Sequence, residues 1–560
     1  PDNQLREWLE SIGVKFGANL NAYTSIDQTV YNISNVPVAR TSVQDSCLLI
    51  LHDWANDLTL DPAEIDKERG VIHEEWRRSM QGQMRIMEKA LPLLYPDTKY
   101  GERLPIGTME IVDNFPPQAL RDYYETWYRP DQQAIIVVGD IDVDRIEGKI
   151  KEMFSSIEMP ANPKERTYQP VPDHKGTLFA IGSDPEQKQY VASLMILNEK
   201  FPRELRNTPA YYLDSFIKTM AASMLNNRLN DLSNDPKAPF ANAGFDFGDY
   251  IISKNKGAVD IQTVAKGNDI IVPLQTVYRE VLRAARHGFT QSELDRTLQM
   301  YLTAYERAYN NRASAENESF VGEYVNHFLD NEPIPGIEVE WPMMRQIASM
   351  VTLDDINRLM ASAITPENRS VLVMAPEKDE ITLPTPDQIS EALAAVDAET
   401  IEAYTDNVKN EPLIAKAPVP GKIVSTRHDD QWDATVWTLS NGATVYVKPT
   451  KYKEDEIRFT ASAMGGYSDY PTEYAPTILT LPNILNMYGL GSYSSTELRK
   501  YLAGKIAGIG MSFGPYSRSI SGSTTPRDLP TLMELTYMAF TDTQFDPTEF
   551  ESMQSSLTAM

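Results

Sequence analysis

The chain repeats itself, and this repetition constrains its fold more than any other sequence feature. The segment 119–138 returns as 355–374 at a constant offset of 236 (366 − 130 and 371 − 135). In both copies a helix-like stretch meets a proline, Pro130 or Pro366, and an apolar run follows. Because proline disfavours helix continuation and β-branched runs favour strands, both copies predict a helix and then a buried strand, at 134–138 and 370–374. A unit repeated in this way predicts more than one domain of a single type.

A second shared unit is a pair of helices joined by a short turn. Its second helix is predicted to begin after Asp61, Thr290 and Asp546, residues whose side chains cap helices, with proline in the first turn of the first and third copies. A third unit, residues 3–9, returns as 496–502. The domain type therefore occurs at least three times.

These repeats predict the domain organisation. We expect domains at 1–160, 165–380 and 431–560, with an acidic, proline-containing connector at 381–430 that holds a helix near 389–403.

The copies differ in what precedes their shared units. The third copy has an apparent β-hairpin, 444–447 with 457–461, ahead of its segment 496–502, whereas the first copy has two residues before Asn3. We expect the first domain to lack its opening strands and first helix, and the third to be truncated at its C-terminal end.

Composition narrows the function classes. The net charge of −27 argues against a nucleic-acid partner, since phosphate binding needs an excess of Lys and Arg. No apolar run approaches the length of a membrane span. The single cysteine, Cys47, allows neither an intrachain disulfide nor a cysteine-based zinc site.

Two glutamates distinguish the first copy from the others. Glu68 and Glu75 are seven residues apart, which places both carboxylates on one helix face. Two copies carry no acid at these positions, so the fold does not require the pair. The residues in register are Thr297 and Ala304 in the second copy and Met553 and Met560 in the third.

An ordinary alternative is a solvated helix face. Arg69 and Arg78 stand close enough in sequence to pair with the two glutamates.

The glutamate segment resembles a motif of the M16 zinc metallopeptidases, the family of pitrilysin, insulysin and the mitochondrial processing peptidase. Residues 68–75 have the form Glu-Arg-x-Val-Ile-x-x-Glu, similar to the helix that in this family follows an inverted His-x-x-Glu-His zinc motif. The resemblance implies repeated M16-type domains of the α+β class, each an antiparallel-rich sheet packed against helices. It also implies that Glu75 is the third zinc ligand and that Glu68 is a carboxylate that orients the site without binding the metal. Two imidazoles and one carboxylate would leave a position on zinc for an activated water.

A second stretch also resembles the family. Residues 17–31 are similar to the active-site strand, whose edge takes the substrate peptide as an added strand, and this implies substrate binding at Asn21, Ala22 and Tyr23. The same alternating stretch is equally consistent with an ordinary strand.

The histidines depart from the family pattern. No two of the six have the spacing of a zinc motif, and Arg77 takes the place of the histidine that would complete a motif begun by His73-Glu74. The six are His52, His73, His174, His287, His327 and His428. The resemblance places the missing motif before Pro1.

These observations lead to one functional expectation and one alternative. The full-length protein is expected to be an M16 zinc metalloendopeptidase of the bacterial four-domain type, with peptides or unfolded proteins as substrates and with the segments beyond both ends of this chain as partners. The chain alone, lacking two histidine ligands and the general base, is expected to bind zinc weakly or not at all and to be inactive. The alternative is a non-catalytic binding or scaffold subunit of the same fold. Localisation stays open, with the periplasm or another exported location compatible with the resemblance.

Overall fold

The structure is a computed structural model that describes residues 4–543 and 545–559. Its N-terminal part, residues 4–160, is mostly helical around one β-hairpin. The helices are α1 (Gln4–Ser11), α2 (Thr41–Asn56), α3 (Pro62–Ser79), α4 (Gly82–Leu94), α5 (Lys99–Glu102), α6 (Met109–Asn114), α7 (Pro117–Trp127), a 3₁₀ turn at Pro130–Gln132 and α8 (Val143–Phe154). The hairpin strands are β1 (Leu20–Thr24) and β2 (Thr29–Ile33).

The middle part, residues 161–400, is built around a five-stranded sheet. Its strands are β3 (Thr177–Asp184), β4 (Val191–Glu199), β5 (Phe240–Asp249), β6 (Lys256–Ala265) and β7 (Arg369–Pro376). Its helices are α9 (Pro209–Ser233), α10 (Ile271–His287), α11 (Gln291–Asn310), α12 (Asn317–Asp330), α13 (Ile337–Met350), α14 (Leu353–Ala363) and α15 (Pro386–Asp397), with 3₁₀ turns at Arg203–Leu205 and Arg312–Ser314. The strand order is β3-β7-β4-β6-β5, and β3 with β7 is the parallel pair.

The C-terminal part, residues 401–559, contains two three-stranded antiparallel sheets with orders β10-β9-β8 and β11-β13-β12. Their strands are β8 (Ile423–Asp429), β9 (Ala434–Leu439), β10 (Thr444–Val447), β11 (Ile457–Met464), β12 (Ala507–Phe513) and β13 (Ser517–Thr524). The helices are α16 (Ala475–Leu485), α17 (Ser495–Tyr501), α18 (Leu529–Thr541) and α19 (Pro547–Ala559), with 3₁₀ turns at Tyr467–Asp469 and Thr472–Tyr474. None of the described helices is long and apolar enough to cross a bilayer.

The five-stranded sheet is covered on both faces. Helices of the middle part pack on one face and form the largest core. On the other face lie α4 and α5 of the N-terminal part, whose side chains, Leu91 and Leu94 among them, pack against Val191 and Met195. Burial on both faces explains why residues 191–197 are buried without alternation. The N-terminal and middle parts therefore share a core.

Helix boundaries confirm the repeats read from the sequence. The bounds of α7 and α14 differ by 236 at both ends (353 − 117 and 363 − 127). Helices α3, α11 and α19 begin at the predicted positions, and Asp61, Thr290 and Asp546 accept hydrogen bonds from backbone N–H groups of the first turn. The α+β class, with antiparallel-rich sheets, is confirmed.

The prediction of a strand at 134–138 is wrong, whereas 370–374 lies in β7 as expected. Residues 134–138 have no regular secondary structure and are exposed or half-buried. The two apolar runs differ in their neighbouring strands. Strand β7 lies between β3 and β4, whereas 134–138 pairs with no strand among the described residues. A strand needs a neighbour to accept its backbone hydrogen bonds.

The predicted hairpin between 444–447 and 457–461 is also wrong. Strand β10 pairs with β9, and β11 pairs with β13 in a different sheet. The tight turn that joins β9 to β10 contains Asn441-Gly442, a strong hairpin signal, with Gly442 at φ 89°. That turn fixes the pairing locally.

The region between the middle and C-terminal parts is tied to both. The predicted helix near 389–403 is α15, which ends at Asp397 and packs Ile389 into the largest core. Beyond it, the Tyr404 ring lies 4.1 Å from the Arg228 guanidinium carbon. The buried Asp406 carboxylate pairs with Arg296 (2.8 Å) and with Lys500 of α17 (3.2 Å). The proposed boundaries 1–160, 165–380, 381–430 and 431–560 stay a prediction.

Candidate functional site

Helix α3 carries the predicted acidic residues, and its packed face is anchored on α6. Asp61 caps the helix by accepting from the Ala63 N–H (2.8 Å). Arg69 donates to the carbonyls of Val112 and Phe115, the latter at 2.8 Å, and its guanidinium stacks on the Phe115 ring at 4.2 Å. These contacts fix the rotation of α3 about its axis.

His73 reinforces this anchor. Its Nε2 lies 2.7 Å from the Asp113 carboxylate of α6, so it is a structural residue at the helix surface. The sequence interpretation did not identify this anchor. The signal was the spacing of four residues between Arg69 and His73, which places both side chains on one helix face.

Glu68 and Glu75 lie beside the packed face and are exposed. A spacing of seven residues is nearly two helical turns, so their side chains leave α3 in almost the same direction. Neither forms a hydrogen bond or an ion pair with any of the described residues. Arg69 pairs with Asp66 (3.0 Å) and Arg78 with Glu74 (2.9 Å), so the pairing considered in the solvated-face alternative is not formed.

The other charged side chains of α3 are paired. Lys67 bonds Glu64 at 2.6 Å, and Arg77 contacts Glu74 with two nitrogens at 2.7 and 2.8 Å. The hydrogen bonds from Arg77 and Arg78 lower the pKa of Glu74 to about 2. Glu68 and Glu75 are thus available carboxylates on a helix whose other charges are paired.

The repeat shows how deeply the positions of Glu68 and Glu75 are buried in the other copies. Thr297 and Met553, in register with Glu68, are 5% and 6% exposed. Ala304, in register with Glu75, is exposed, and Met560 lies outside the described residues. Position 68 therefore belongs to a face that packs against protein in two copies and is open in the first.

The predicted active-site strand is a hairpin, β1 and β2, joined by a turn at 25–28. The Ser25 N–H donates to the Gln28 carbonyl (2.9 Å), and the Ser34 N–H donates to the Asn19 carbonyl (2.8 Å). Bonded pairs alternate along an antiparallel ladder, so odd-numbered residues of β1 bond to β2. The even-numbered residues direct their N–H and carbonyl groups to the other edge, where no further strand pairs with β1 among the described residues.

This alternation separates the three predicted substrate-binding residues. Ala22 directs its backbone to the open edge, where its N–H meets the Asn21 side-chain oxygen at 2.9 Å. Asn21 and Tyr23 direct their backbone groups toward β2, and both side chains are exposed. Ala22 is therefore the residue of the three that can bond the backbone of an added strand.

Aromatic side chains of other elements pack against Tyr31 of β2. The Tyr31 hydroxyl lies 2.7 Å from the Tyr128 hydroxyl, and the Tyr31 ring lies 5.4 Å from that of Trp54. Burial raises the pKa of Tyr128 well above its usual value. No hydrogen bond joins β1 to Glu68 or Glu75 among the described residues, so the structure leaves the two groups without a direct contact.

The described residues do not by themselves complete a zinc site at Glu75. A catalytic zinc has three protein ligands, and Glu75 supplies one carboxylate. Within 4–543 and 545–559, the grouping of three potential ligands able to meet at one ion is His52, Asp53 and Asp57. That grouping lies at the end of α2 and includes neither Glu68 nor Glu75.

Comparison with protein-family models matches two consecutive segments. Residues 1–105 match the model described as insulinase (peptidase family M16), and residues 114–301 match the model described as the peptidase M16 inactive domain. The first match contains β1 and the two glutamates of α3, and the second contains most of the five-stranded sheet.

Curated relatives extend the similarity along the chain. The chain is 25% identical over 541 residues to an Arabidopsis thaliana protein named zinc protease PQQL-like, covering 96% of this chain and 50% of the relative. It is 25% identical over 513 residues to the probable zinc protease PqqL of Escherichia coli, covering 90% of this chain and 53% of the relative. The chain thus spans about half the length of these relatives.

Solved structures show the same fold. The crystal structure of the periplasmic protease PqqL from Escherichia coli superposes with a TM-score of 0.66 at 23% identity, covering 99% of this chain and 61% of that chain. The crystal structure of pitrilysin superposes with a TM-score of 0.59 at 14% identity, covering 99% of this chain and 57% of that chain. With the two family models, which match most of residues 1–301, these similarities show that the chain belongs to peptidase family M16.

Proposed function

We propose that this chain is part of a zinc-dependent metalloendopeptidase in which Glu75 is a zinc ligand and Glu68 orients the site. The observation that carries the proposal is the pair of exposed carboxylates on one face of α3, which have no partner among the described residues. The residues in register with Glu68 are buried in the other two copies, whereas Glu68 is exposed and without a partner among the described residues. The names of the curated relatives support zinc as the metal.

The remaining zinc ligands would come from outside these 560 residues. The relatives are about twice as long as the chain, and the histidines of the chain do not meet at Glu75. We therefore expect the chain alone to hold zinc weakly or not at all and to be inactive. In the whole protein, Glu75 would contribute a carboxylate oxygen to the metal, whose chemistry is to make bound water nucleophilic.

Substrate would bind along the open edge of β1. The outward carbonyl of Ala22 accepts from an N–H of an extended peptide, and its N–H can exchange the Asn21 side chain for a peptide carbonyl. Main-chain bonds of this kind select an extended conformation more than a particular sequence. Peptides and unfolded proteins are accordingly the proposed substrates, and the periplasmic location described for Escherichia coli PqqL is compatible with such a role.

The zinc content of the whole protein tests the assignment of Glu75. Glu75→Gln keeps the size of the side chain and removes its charge, and loss of a ligand lowers bound zinc by about tenfold or more at limiting metal. Glu74→Gln is the matched control, because Glu74 is adjacent on the same exposed helix but pairs with Arg77 and Arg78. Equal zinc content in both variants, measured by mass spectrometry, would mean that Glu75 is a solvated surface residue and not a zinc ligand.

A non-catalytic M16 subunit is the second candidate. It is favoured by the match of 114–301 to the inactive-domain model and by the absence of an imidazole partner for Glu75 among the described residues. A whole protein that binds peptides but neither binds zinc nor cleaves them would select this candidate. A His-x-x-Glu-His motif encoded upstream of Pro1 would select the enzyme.

A further inference from the structure

A cleft separates α11 from the C-terminal part. Its volume is about 840 Å³, within the range of ligand-binding pockets. The Thr303 hydroxyl donates to the Gly504 carbonyl at 3.0 Å, and Asn310 donates to the Asp455 carboxylate at 3.0 Å. An ion pair between Arg527 and Glu306 (3.3 Å) joins the same two parts. These contacts hold the walls of the cleft in a fixed relation.

The floor of the cleft is apolar. Met300 and Ala304 contribute from α11, and Leu498, Leu502 and Ile506 contribute from the opposite wall. Ala304 is the residue in register with Glu75, so the cleft of the second copy includes the helix position that Glu75 occupies in the first. A floor of this composition suits a large apolar side chain.

The charged side chains that line the cleft are all cationic. They are Arg307, Lys453, Arg499 and Lys505. In a chain of net charge −27 this local excess of positive charge is a specific feature.

Two of these cations have no acidic partner at hydrogen-bond distance among the described residues. Arg499 pairs with Asp231, and Lys453 lies 3.5 Å from Glu456. Arg307 forms no ion pair with the described residues, and Lys505 stacks on the ring of Tyr501 at 4.2 Å without one.

One of the residues that line the cleft has a buried hydroxyl without a partner. Tyr488 lines it and is 8% exposed, yet its hydroxyl has no hydrogen-bond partner among the described residues. The Asn311 side-chain oxygen, on the opposite wall, is likewise buried and unpartnered in the described part of the chain. Leaving such groups unsatisfied costs free energy, which a ligand with polar atoms recovers.

We infer that this cleft binds a peptide segment in which acidic side chains alternate with large apolar ones. The apolar floor receives the apolar side chains, Arg307 and Lys505 pair with the carboxylates, and the Tyr488 hydroxyl bonds the peptide backbone. The inference rests on the proposed function only in taking the ligand to be a peptide. It is tested by binding without turnover, so a failure of peptidase activity leaves the test of the cleft intact.

The probe is a fluorescent eight-residue peptide that alternates leucine with glutamate, blocked at both termini so that only side-chain carboxylates carry charge. We expect it to bind the 560-residue chain, and the same peptide with glutamine to bind about tenfold more weakly, because charge-assisted bonds are lost. Binding should weaken as salt is raised. Equal binding of the glutamate and glutamine peptides, or tighter binding of a lysine version, would overturn the inference.

Variants locate the site. Replacing the two cations that have no acidic partner at hydrogen-bond distance, by Arg307→Gln with Lys505→Gln, should weaken binding of the glutamate peptide about tenfold and bring it to the level of the glutamine peptide. Arg358→Gln is the matched control, since Arg358 is an exposed helical arginine outside the cleft, paired with Asp355, and it should leave binding unchanged. Equal effects of the double variant and the control would place binding elsewhere, including at β1.

Tyr488→Phe removes only the buried hydroxyl. Because that hydroxyl has no partner among the described residues, the variant should keep the melting temperature of the parent. Peptide affinity should nevertheless fall about threefold to tenfold, the loss expected for one neutral hydrogen bond. Unchanged affinity would contradict the assignment of a peptide backbone to this hydroxyl. Complete displacement of the peptide by a fatty acid such as decanoate would contradict it as well.

Discussion

Leu91 of α4 provides a quantitative test of the core shared by the N-terminal and middle parts. This side chain is 2% exposed and packs on the second face of the five-stranded sheet. Leu91→Ala removes three buried carbon atoms, which at about 0.8 kcal/mol each gives about 2.4 kcal/mol of lost transfer free energy. The cavity left behind raises the expected destabilisation to about 3 kcal/mol.

Hydrogen–deuterium exchange can localise this loss, which a melting curve of a multidomain chain cannot do. A loss of about 3 kcal/mol speeds exchange through the affected opening by roughly 150-fold, and both α4 and β3 should show it. Leu93→Ala is the control, because Leu93 lies on the same helix but is 53% exposed. Equal effects of the two variants, or faster exchange in α4 with none in β3, would refute a shared core.

Two further predictions concern the same junction. A Cβ at Gly82 would lie 2.7 Å from the Asp184 carboxylate, so Gly82→Ala should destabilise the chain by about 1–3 kcal/mol in a thermal melt, whereas Gly148→Ala, with open space around it, should not. Hydrogen bonds from Arg85 lower the pKa of Asp184 to about 2, and a lowered carboxyl pKa stabilises the fold above the unfolded-state value and ceases to do so as pH falls through the folded-state value. The difference in melting temperature between the parent and Arg85→Gln should therefore shrink between about pH 4 and about pH 2, and a constant difference would contradict the assignment of Asp184 as the partner.

Local signals in the sequence located the helices well. Asp61, Thr290 and Asp546 cap their helices through bonds within a single turn, so the information lies in a few adjacent residues. The offset of 236 also held at both ends of α7 and α14. The helix predicted near 389–403 exists as α15, but it begins three residues earlier (389 − 386) and ends at Asp397.

Strand pairing depended on partners that a local pattern does not specify. The apolar run 134–138 reads like β7 but lacks a neighbouring strand among the described residues, and β10 pairs with β9 because of Asn441-Gly442 rather than with β11. The hydrophobic spacing of α4 indicated a buried face, yet nothing in that spacing shows that the face packs on a sheet formed by residues 177–376.

At the candidate site too, the sequence predicted local helix geometry but not the contacts with distant segments. The seven-residue spacing of Glu68 and Glu75 correctly placed both on one face of α3, since helix geometry alone decides it. The sequence did not reveal the partners of Arg69, which bonds the carbonyls of Val112 and Phe115, more than 40 residues away in sequence. The cationic cleft beside α11 combines residues from two distant segments and had no local signal.

Anomalous scattering at the zinc absorption edge, recorded from crystals of the whole protein, tests the central claim most directly. We predict a zinc peak at about 2.0–2.2 Å from a carboxylate oxygen of Glu75, with two imidazole nitrogens from outside these 560 residues completing the protein ligands. A peak on His52, Asp53 and Asp57, with the Glu75 carboxylate in solvent, would contradict the account.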